Sequence, residues 1–169
     1  MTRLSWYEAY AFCIYDGGFL PTEAEWDYAA AGGDEQRVYP WSNPPTSMLV
    51  DPTYAVYDCR ADGSDGGYAN CALSDIPNVG SRSPQGDGRW GQADLGGSAI
   101  EWVLDWWANP YRFPDCVDCA DVTATTGNRI YRSGSFIDSE AVMLVASHDY
   151  YGGPAGRGSG TGVRCARAP

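Results

Sequence analysis

Two stretches near the start of the chain repeat apolar residues with the period of an α-helix. In the first, SWYEAYAFCIYDGG, Ser5 and Glu8 have the spacing of a capping box, and Gly17 follows the last periodic residue. We predict a helix between these two signals. Its buried face is expected to hold Trp6, Ala9, Tyr10 and Cys13.

The second stretch, LPTEAEWDYAAAGG, repeats the same signals. Thr22 and Glu25 have capping-box spacing, and Gly32 and Gly33 end the apolar pattern. We therefore predict a second helix. Its inward face is expected to hold Trp26, Ala29 and Ala30.

The rest of the chain consists of short apolar runs separated by loops rich in Gly, Pro and Asp. We predict short strands in NVGSRSP, AIEWVLDWW, NRIYRSGSF and GTGVRCAR, with AVMLVASH as a further apolar run. In NRIYRSGSF, one face is expected to hold Ile130, Arg132 and Phe136. Two helices followed by loops and antiparallel strands predict an α+β fold. Without an internal repeat or a linker, residues 1–169 suit a single domain.

The charge of the chain narrows its possible partners. The net charge is −11, and the sequence contains no lysine and no cluster of arginines. A nucleic-acid-binding protein needs a basic face against the phosphates, so we expect no nucleic-acid partner, and an anionic membrane surface is disfavoured for the same reason. No run of about 18 apolar residues is present, so we expect no membrane span.

Six cysteines allow 15 pairings. Their order favours a nested arrangement with one long-range disulfide and two local ones: Cys13–Cys165, Cys59–Cys71 and Cys116–Cys119. Disulfides point to an oxidising compartment, either extracellular, on the cell surface or periplasmic. The opening MTRLSWYEAY lacks the apolar run of a signal peptide, so a leader is removed, the chain is a fragment, or the thiols are reduced. A zinc site formed by the four central cysteines is the alternative.

Five blocks, in order, resemble the formylglycine-generating enzyme family, also called sulfatase-modifying factor domains: FLPTEAEWDYAAAGG, YPWS, GQADLGGSAIEW, RIYRSGSF and GTGVRCAR. The resemblance covers nearly the whole chain. It implies a variant C-type-lectin-like fold, rich in loops, with a disulfide that joins the first helix to the last strand, here Cys13 and Cys165. The family has a longer N-terminal portion that begins with strands, so the chain is either a trimmed version or a fragment whose missing strand a partner supplies. An unpaired sheet edge would then favour dimerisation.

The resemblance also implies a structural calcium site in DLGGSAIEW. Carried over by position, Asp94 and Glu101 would supply side-chain oxygens, and Gly97 and Ala99 would supply backbone carbonyl oxygens. Calcium prefers hard oxygen ligands and tolerates irregular backbone. The alternative is a glycine turn with two solvated carboxylates. A second family calcium site would draw on Asp62 and Asp65, for which a solvated acidic loop is the alternative.

The resemblance argues against the family's oxidase chemistry in this chain. The family oxidises a substrate cysteine with two thiolates that bind copper(I), a soft ion. The matching positions fall near Asp138 and Met143, and no cysteine lies between Cys119 and Cys165. We therefore assign no catalytic residue and expect no copper. A related branch uses three histidines and iron, which the single His148 excludes, and Cys116–Cys119 is more typical of a structural disulfide than of a redox pair.

What remains is a binding function on the same scaffold. Residues 137–160 depart most from the family pattern and combine tyrosines with glycines, a composition of recognition surfaces. We predict that they bind a protein, peptide or glycan through Asp138, Glu140, His148, Asp149, Tyr150, Tyr151 and Arg157. The family's fold is also similar to variable proteins of diversity-generating retroelements. The alternatives are an ordinary surface loop and an enzyme of the family with different chemistry.

Overall fold

The computed structural model describes residues 2–64, 66–108, 120–123, 126–145, 147 and 150–168. Its helices are α1 (Trp6–Tyr15) and α2 (Glu23–Ala31). Its strands are β1 (Ile100–Trp106), β2 (Arg129–Arg132), β3 (Tyr151–Gly152) and β4 (Thr161–Gly162). The strands form one sheet in the order β3-β2-β1-β4, with β2 antiparallel to both β1 and β3. This arrangement confirms the predicted α+β class.

Helix α1 begins and ends at the predicted signals. The Ser5 hydroxyl accepts a hydrogen bond from the Glu8 N–H, and the Glu8 carboxylate accepts one from the Ser5 N–H. Gly17 has a φ of 76°, and the Gly18 N–H donates to the Cys13 carbonyl. This hydrogen bond satisfies a carbonyl in the last turn of the helix that would otherwise lack a donor. Tyr10 does not join the buried face as predicted, because its side chain is 41% exposed.

Helix α2 is capped in the same way. The Glu25 carboxylate accepts from the Thr22 N–H at 2.8 Å, and the Thr22 hydroxyl accepts from the Glu25 N–H at 3.1 Å. Trp26 and Ala30 are buried as predicted, whereas Ala29 is only half-buried. Both helix starts are therefore confirmed by local hydrogen bonds that the sequence spacing predicts.

The chain folds into two compact units. The first contains Met1–Trp26, Glu101–Arg132 and His148–Pro169, and the second contains Asp27–Ile100 and Ser133–Ser147. In the first unit, α1 and β1 meet in a core of Trp6, Ala9, Cys13, Leu20 and Trp102. The predicted disulfide between Cys13 and Cys165 is present and ties the first helix of this unit to its C-terminal segment.

The second unit is built mostly from turns around two apolar clusters. One cluster contains Tyr39, Trp41, Ala55, Tyr57 and Met143, and the other contains Val56, Cys59 and Phe136. The predicted disulfide between Cys59 and Cys71 closes a loop of this unit. The third predicted pair, Cys116 and Cys119, lies outside the described residues.

Two of the predicted strands differ from the structure, and the further apolar run has no strand either among its described residues. NVGSRSP is a series of turns and not a strand, because Gly80 has a φ of 75° and Val79 is 86% exposed. AVMLVASH contributes to a 3-10 helix, Glu140–Met143. The strand predicted in NRIYRSGSF ends at Arg132, since Ser133 and Gly134 have φ values of 84° and 150° that a strand cannot continue.

Both edges of the sheet are short. Strands β3 and β4 contain two residues each, and short edge strands are one of the ways in which proteins limit pairing between copies. Dimerisation at a sheet edge stays a prediction. In the part of the chain that the structure describes, no helix combines the length and the apolar character needed to cross a membrane.

Candidate functional site

The glycine turn of the predicted calcium site has a clear steric explanation within the second unit. Gly97 has a φ of 81° and pairs with Val56, whose carbonyl oxygen lies 2.4 Å from where a Cβ at Gly97 would stand. A Cβ at Gly96 would lie 2.6 Å from the Trp41 ring. Both positions therefore exclude a side chain. Ser98 also has a left-handed backbone, with a φ of 63°, and its N–H donates to the Val56 carbonyl.

Asp94 anchors the start of this turn through its carboxylate. One carboxylate oxygen accepts from the Gly80 N–H at 2.7 Å, and the other accepts weakly from the Ser98 hydroxyl at 3.4 Å. The Gly97 carbonyl accepts from the Ser133 hydroxyl at 3.3 Å and from the Ala99 N–H at 2.7 Å. The turn therefore concentrates oxygen atoms, and protein donors already contact several of them.

Glu101 lies on β1 in the first unit, and its side chain is buried rather than solvated. The residue is 6% exposed. Its carboxylate accepts from the Trp26 indole N–H at 2.7 Å and from both a terminal nitrogen and the Nε of Arg164, at 3.0 and 3.1 Å. This two-pronged contact with a guanidinium is a strong form of ion pair, and it compensates the negative charge of Glu101 inside the unit.

These contacts allow a test of whether calcium fits. Calcium takes about six to eight oxygen ligands, and the Asp94 carboxylate with its neighbouring carbonyls is a suitable oxygen source. Glu101 fits less well, because Arg164 already neutralises it. Among the described residues, no three His, Cys, Asp or Glu side chains cluster in a way that could hold a metal ion. The calcium site therefore stays a prediction, with Asp94 as its best available ligand.

The candidate for a second calcium site is engaged in local turns. The Asp62 carboxylate accepts from the Ser64 N–H and from the Ser74 hydroxyl, and hydrogen bonds from Ser64, followed by Ser74, lower the pKa of Asp62. Asp65 lies outside the described residues. The hydrogen bonds of Asp62 are those expected of an acidic loop, whether or not it binds a metal.

The resemblance places the family's two thiolates near Asp138 and Met143, and both of these side chains have structural roles in the second unit. The Asp138 carboxylate accepts from the Ser135 N–H at 2.8 Å and from the Ser135 hydroxyl at 2.6 Å, which closes a tight turn. Met143 is 1% exposed and packs against Tyr39 and Tyr57 in the apolar cluster. A carboxylate and a buried thioether cannot supply the thiolate pair that copper(I) chemistry in this family requires.

Glu140 begins the short 3-10 helix and is exposed. Burial raises the pKa of both Tyr39 and Tyr57, and the charge of Glu140 raises each further. The two phenols therefore remain neutral at physiological pH. As neutral phenols they can donate hydrogen bonds but cannot act as bases.

Within residues 137–160, positions 148–160 belong to the first unit, and they include one exposed aromatic and one exposed charged side chain. Tyr151 lies on β3, is 43% exposed, and packs against Trp107 with ring centroids 4.1 Å apart and ring planes tilted by 36°. Arg157 forms an exposed ion pair with Glu8 at 2.7 Å. The Tyr150 carbonyl accepts a backbone hydrogen bond from the Tyr131 N–H. The other two predicted ligand-binding residues, His148 and Asp149, lie outside the described residues.

Sequence analysis missed a buried charged network in the first unit. Asp105 on β1 is fully buried, and its two carboxylate oxygens accept from the Glu23 and Asp121 N–H groups at 2.7 Å each. Burial raises the pKa of Asp105, and the carboxylates of Glu23 and Asp121 add to the rise. The signal was available, because the period of two along β1 places Asp105 on the same face as Glu101 and Val103.

Arg129 on β2 completes this network. Its guanidinium lies between two indole rings, 3.8 Å from the centroid of Trp6 and 3.6 Å from that of Trp106, and it donates to the Leu104 carbonyl. A planar cation between two aromatic faces is held by electrostatic attraction and stacking. This contact positions α1 and the two longest strands within the first unit, but it offers no reactive group to solvent.

The whole chain resembles one protein family. Residues 1–169 match the sulfatase-modifying factor enzyme 1-like domain. The formylglycine-generating enzyme of Thermomonospora curvata is 30% identical over 182 residues, which cover 100% of this chain and 55% of that protein. The inactive C-alpha-formylglycine-generating enzyme 2 of Bos taurus is 32% identical over 142 residues, covering 82% of this chain and 39% of that protein. The chain thus spans about half or less of the length of these relatives.

Solved structures share the fold. PvdO from Pseudomonas aeruginosa superposes with a TM-score of 0.75 at 18% identity, covering 96% of this chain and 59% of that one. Treponema denticola variable protein 1 superposes with a TM-score of 0.66 at 20% identity, covering 96% and 69%. At these identities the likeness establishes the α+β architecture, and it carries no information about ligands.

Proposed function

Because this chain belongs to the sulfatase-modifying factor enzyme 1-like family, we propose that it is a non-catalytic ligand-binding module on that family's scaffold. One observation carries the proposal. Near the positions at which the family resemblance would place its two thiolates, Asp138 closes a turn and Met143 fills the core. With these two residues used for packing and for turn formation, the proposed module keeps the shape and the surface loops of the scaffold but lacks a thiolate pair to bind copper.

Two of the similar proteins are compatible with such a role. The bovine relative is called inactive, and one structural neighbour is called a variable protein. Both names describe those proteins alone. They support the proposal because they place proteins with these descriptions on the same family or fold as this chain.

We propose residues 137–160 as the binding surface and a protein, peptide or glycan as the ligand. Tyr151 offers a half-exposed ring supported from behind by Trp107, and such rigid aromatic groups are common anchors in recognition. Arg157 and Glu140 supply exposed charges of opposite sign. The two disulfides support an extracellular, cell-surface or periplasmic location for this activity.

Peptide and glycan probes test the proposed surface. A random peptide library and a glycan array are screened with the purified chain, and the selected probes are measured again with a Tyr151→Ala, Arg157→Ala double variant. Removal of an aromatic anchor together with a charge is expected to weaken binding by about tenfold or more. Tyr68→Ala is the matched control, since Tyr68 is 79% exposed in the second unit and lies outside residues 137–160.

Equal binding by the double variant and the control would contradict the proposed surface. Failure to enrich any specific probe would contradict the binding role itself. It would then favour the second candidate, an enzyme of this family with chemistry other than cysteine oxidation, which the 30% identity to a formylglycine-generating enzyme keeps open.

A structural calcium ion in the DLGGSAIEW turn is a separate proposal. We expect calorimetric titration with Ca²⁺ to show binding and the melting temperature to rise with Ca²⁺ concentration, because a ligand that binds only the folded state stabilises it. Asp94→Ala should weaken Ca²⁺ binding by about tenfold or more, since it removes the charged oxygens of the turn. Asp34→Ala, an exposed carboxylate elsewhere in the second unit, should not. Equal Ca²⁺ affinity in both variants would exclude the site.

A further inference from the structure

The second unit contains an open cleft, with both polar and apolar lining, that no predicted site residue lines. Its volume is about 550 Å³, and it opens between the loop at 52–64 and the turns at 81–85. Its polar walls are formed by two arginines, three hydroxyl-bearing residues and one amide, namely Arg60, Arg82, Thr53, Ser64, Ser81 and Gln85. This volume lies within the range of about 300 to 1,000 Å³ that is typical of small-molecule sites.

Arg82 is the unusual group in this cleft. It is half-buried, and its Nε is buried without a hydrogen-bond partner. Within the described ranges it forms no ion pair, although the chain as a whole carries a net charge of −11. Because Arg82 also lines the cleft, its guanidinium can present a planar fork of N–H donors that matches the oxygens of an anion.

The position of Arg82 is fixed by its own turn. Its carbonyl accepts from the Gly86 N–H at 2.8 Å. A Cβ at Gly86 would lie 1.9 Å from the Tyr54 carbonyl oxygen and 3.2 Å from the Cβ of Arg82, so the turn is pressed directly against the opposite loop. The two segments that carry the cleft residues are therefore in close backbone contact at Gly86 and Tyr54.

The carboxylates near the cleft are already engaged. Asp58 pairs with Arg60 at 2.9 Å, and Asp51 accepts from both the N–H and the hydroxyl of Thr53. Asp62 accepts from the Ser64 N–H, and none of these three carboxylates lines the cleft. An anion in the cleft would consequently contact Arg82 without displacing an existing salt bridge of that residue.

We propose that this cleft binds an acidic sugar, such as a uronic acid, with its carboxylate on Arg82. The hydroxyl and amide groups of the walls match the hydroxyl groups of a sugar, and an apolar ligand would leave these polar groups without partners. Arg60, which lines the same cleft, offers further N–H donors to the ring hydroxyls. This binding is independent of residues 137–160.

NMR titration of the isotope-labelled full chain tests the proposal with three probes: D-glucuronate, D-glucose and acetate. We expect D-glucuronate to shift amide signals of residues 52–64 and 81–86 with a Kd of about 1 mM, which is typical for a ligand of this size. D-Glucose lacks the charge and should bind about tenfold more weakly, and acetate lacks the hydroxyls and should also bind about tenfold more weakly.

Arg82→Gln should reduce D-glucuronate affinity by about tenfold or more, because it removes the charged fork. Arg89→Gln is the matched control, since Arg89 is a partly exposed arginine of the same unit that pairs with Glu35. Unchanged affinity in Arg82→Gln overturns the proposal, as does equal binding of glucose or of acetate, or the absence of a saturable shift. The Tyr151→Ala, Arg157→Ala variant should bind D-glucuronate normally, so failure here and failure of the proposed surface are distinguishable.

Discussion

At the scale of single residues, the glycines of the DLGGSAIEW turn are explained by packing without reference to a metal. Gly97 needs both its left-handed backbone and the space that a Cβ would take from the Val56 carbonyl. This explanation is compatible with calcium binding, because a turn so tightly constrained presents the same oxygens whether or not an ion is bound. The two roles can therefore be tested separately.

Gly97→Ala should destabilise the protein more than Gly91→Ala. Both glycines have a φ of 81°, but a Cβ at Gly91 meets nothing within 4 Å, whereas a Cβ at Gly97 meets backbone at 2.4 Å. The backbone conformation alone is expected to cost about 1 kcal/mol in each variant, and the steric overlap should add about 1–3 kcal/mol at Gly97. Urea unfolding measures both values, and equal losses of stability would contradict this account of the turn.

The partners of the buried charged residues could not be predicted from the sequence alone. The sequence identified Glu101 as important, but its buried pairing with Arg164 joins residues 63 positions apart. Arg129 between two indoles and Arg82 in the open cleft likewise depend on where separate segments meet. A motif carries the residue type and spacing, whereas a partner that comes from tertiary packing leaves no local signal.

At the scale of elements, β1 carries a buried carboxylate, that of Asp105, among buried apolar residues. Asp105 accepts hydrogen bonds from the Glu23 N–H at the start of α2 and from the Asp121 N–H. Its pKa is raised above the ordinary value of 3.8, so the folded state binds this proton more tightly than the unfolded state does. The corresponding contribution to stability is complete below pH 3.8 and is lost as the pH rises through the raised pKa.

Asp105→Asn should therefore destabilise the protein by an amount that shrinks as the pH rises. The amide can accept from only one of the two N–H groups, and leaving the other unpaired costs about 1–3 kcal/mol. As the pH rises from 3.8 through the raised pKa, wild type also loses stability because it must bury a charge, while the variant does not. Urea unfolding of both proteins from about pH 4 to about pH 8 measures the difference. A difference that is constant or grows with pH would contradict the raised pKa.

Elements with local signals were predicted well, and those without were not. Both capping boxes form as their spacing predicts, because each depends on residues three positions apart. The strand predicted around Val79 is absent, since a single apolar residue between Gly- and Ser-rich turns gives no alternating face to bury. The ends of β2 also depended on left-handed residues that its apolar pattern does not reveal.

At the scale of the whole molecule, few of the residues that the structure describes are in regular elements, and covalent cross-links add order that helices and strands do not supply. The Cys13–Cys165 disulfide joins residues 152 positions apart, and the Cys59–Cys71 disulfide joins residues 12 apart. Cross-links restrict the unfolded chain more strongly when they close longer loops. The long-range disulfide was predictable from the nested cysteine order and the family resemblance, whereas the division into two units was not.

Removing the long-range disulfide should lower the free energy of unfolding more than removing the local one does. In the chain-entropy model, the Cys13→Ala, Cys165→Ala variant loses about 5 kcal/mol of unfolding free energy, and Cys59→Ala, Cys71→Ala loses about 3 kcal/mol. Guanidinium unfolding under oxidising conditions compares both variants with wild type. Equal losses, or a larger loss for the local disulfide, would mean that the cross-links stabilise the fold by local contacts and not by restricting the unfolded chain.

The central claim is that this chain keeps the family's scaffold without its oxidase chemistry. The most direct measurement is mass spectrometry of a cysteine-containing peptide after incubation with the chain, copper(I) and oxygen. The formylglycine-generating enzyme of Thermomonospora curvata serves as the positive control. The account predicts formylglycine from the control and none from this chain, because Asp138 and Met143 cannot replace two thiolates. Copper-dependent formation of formylglycine by this chain would contradict it.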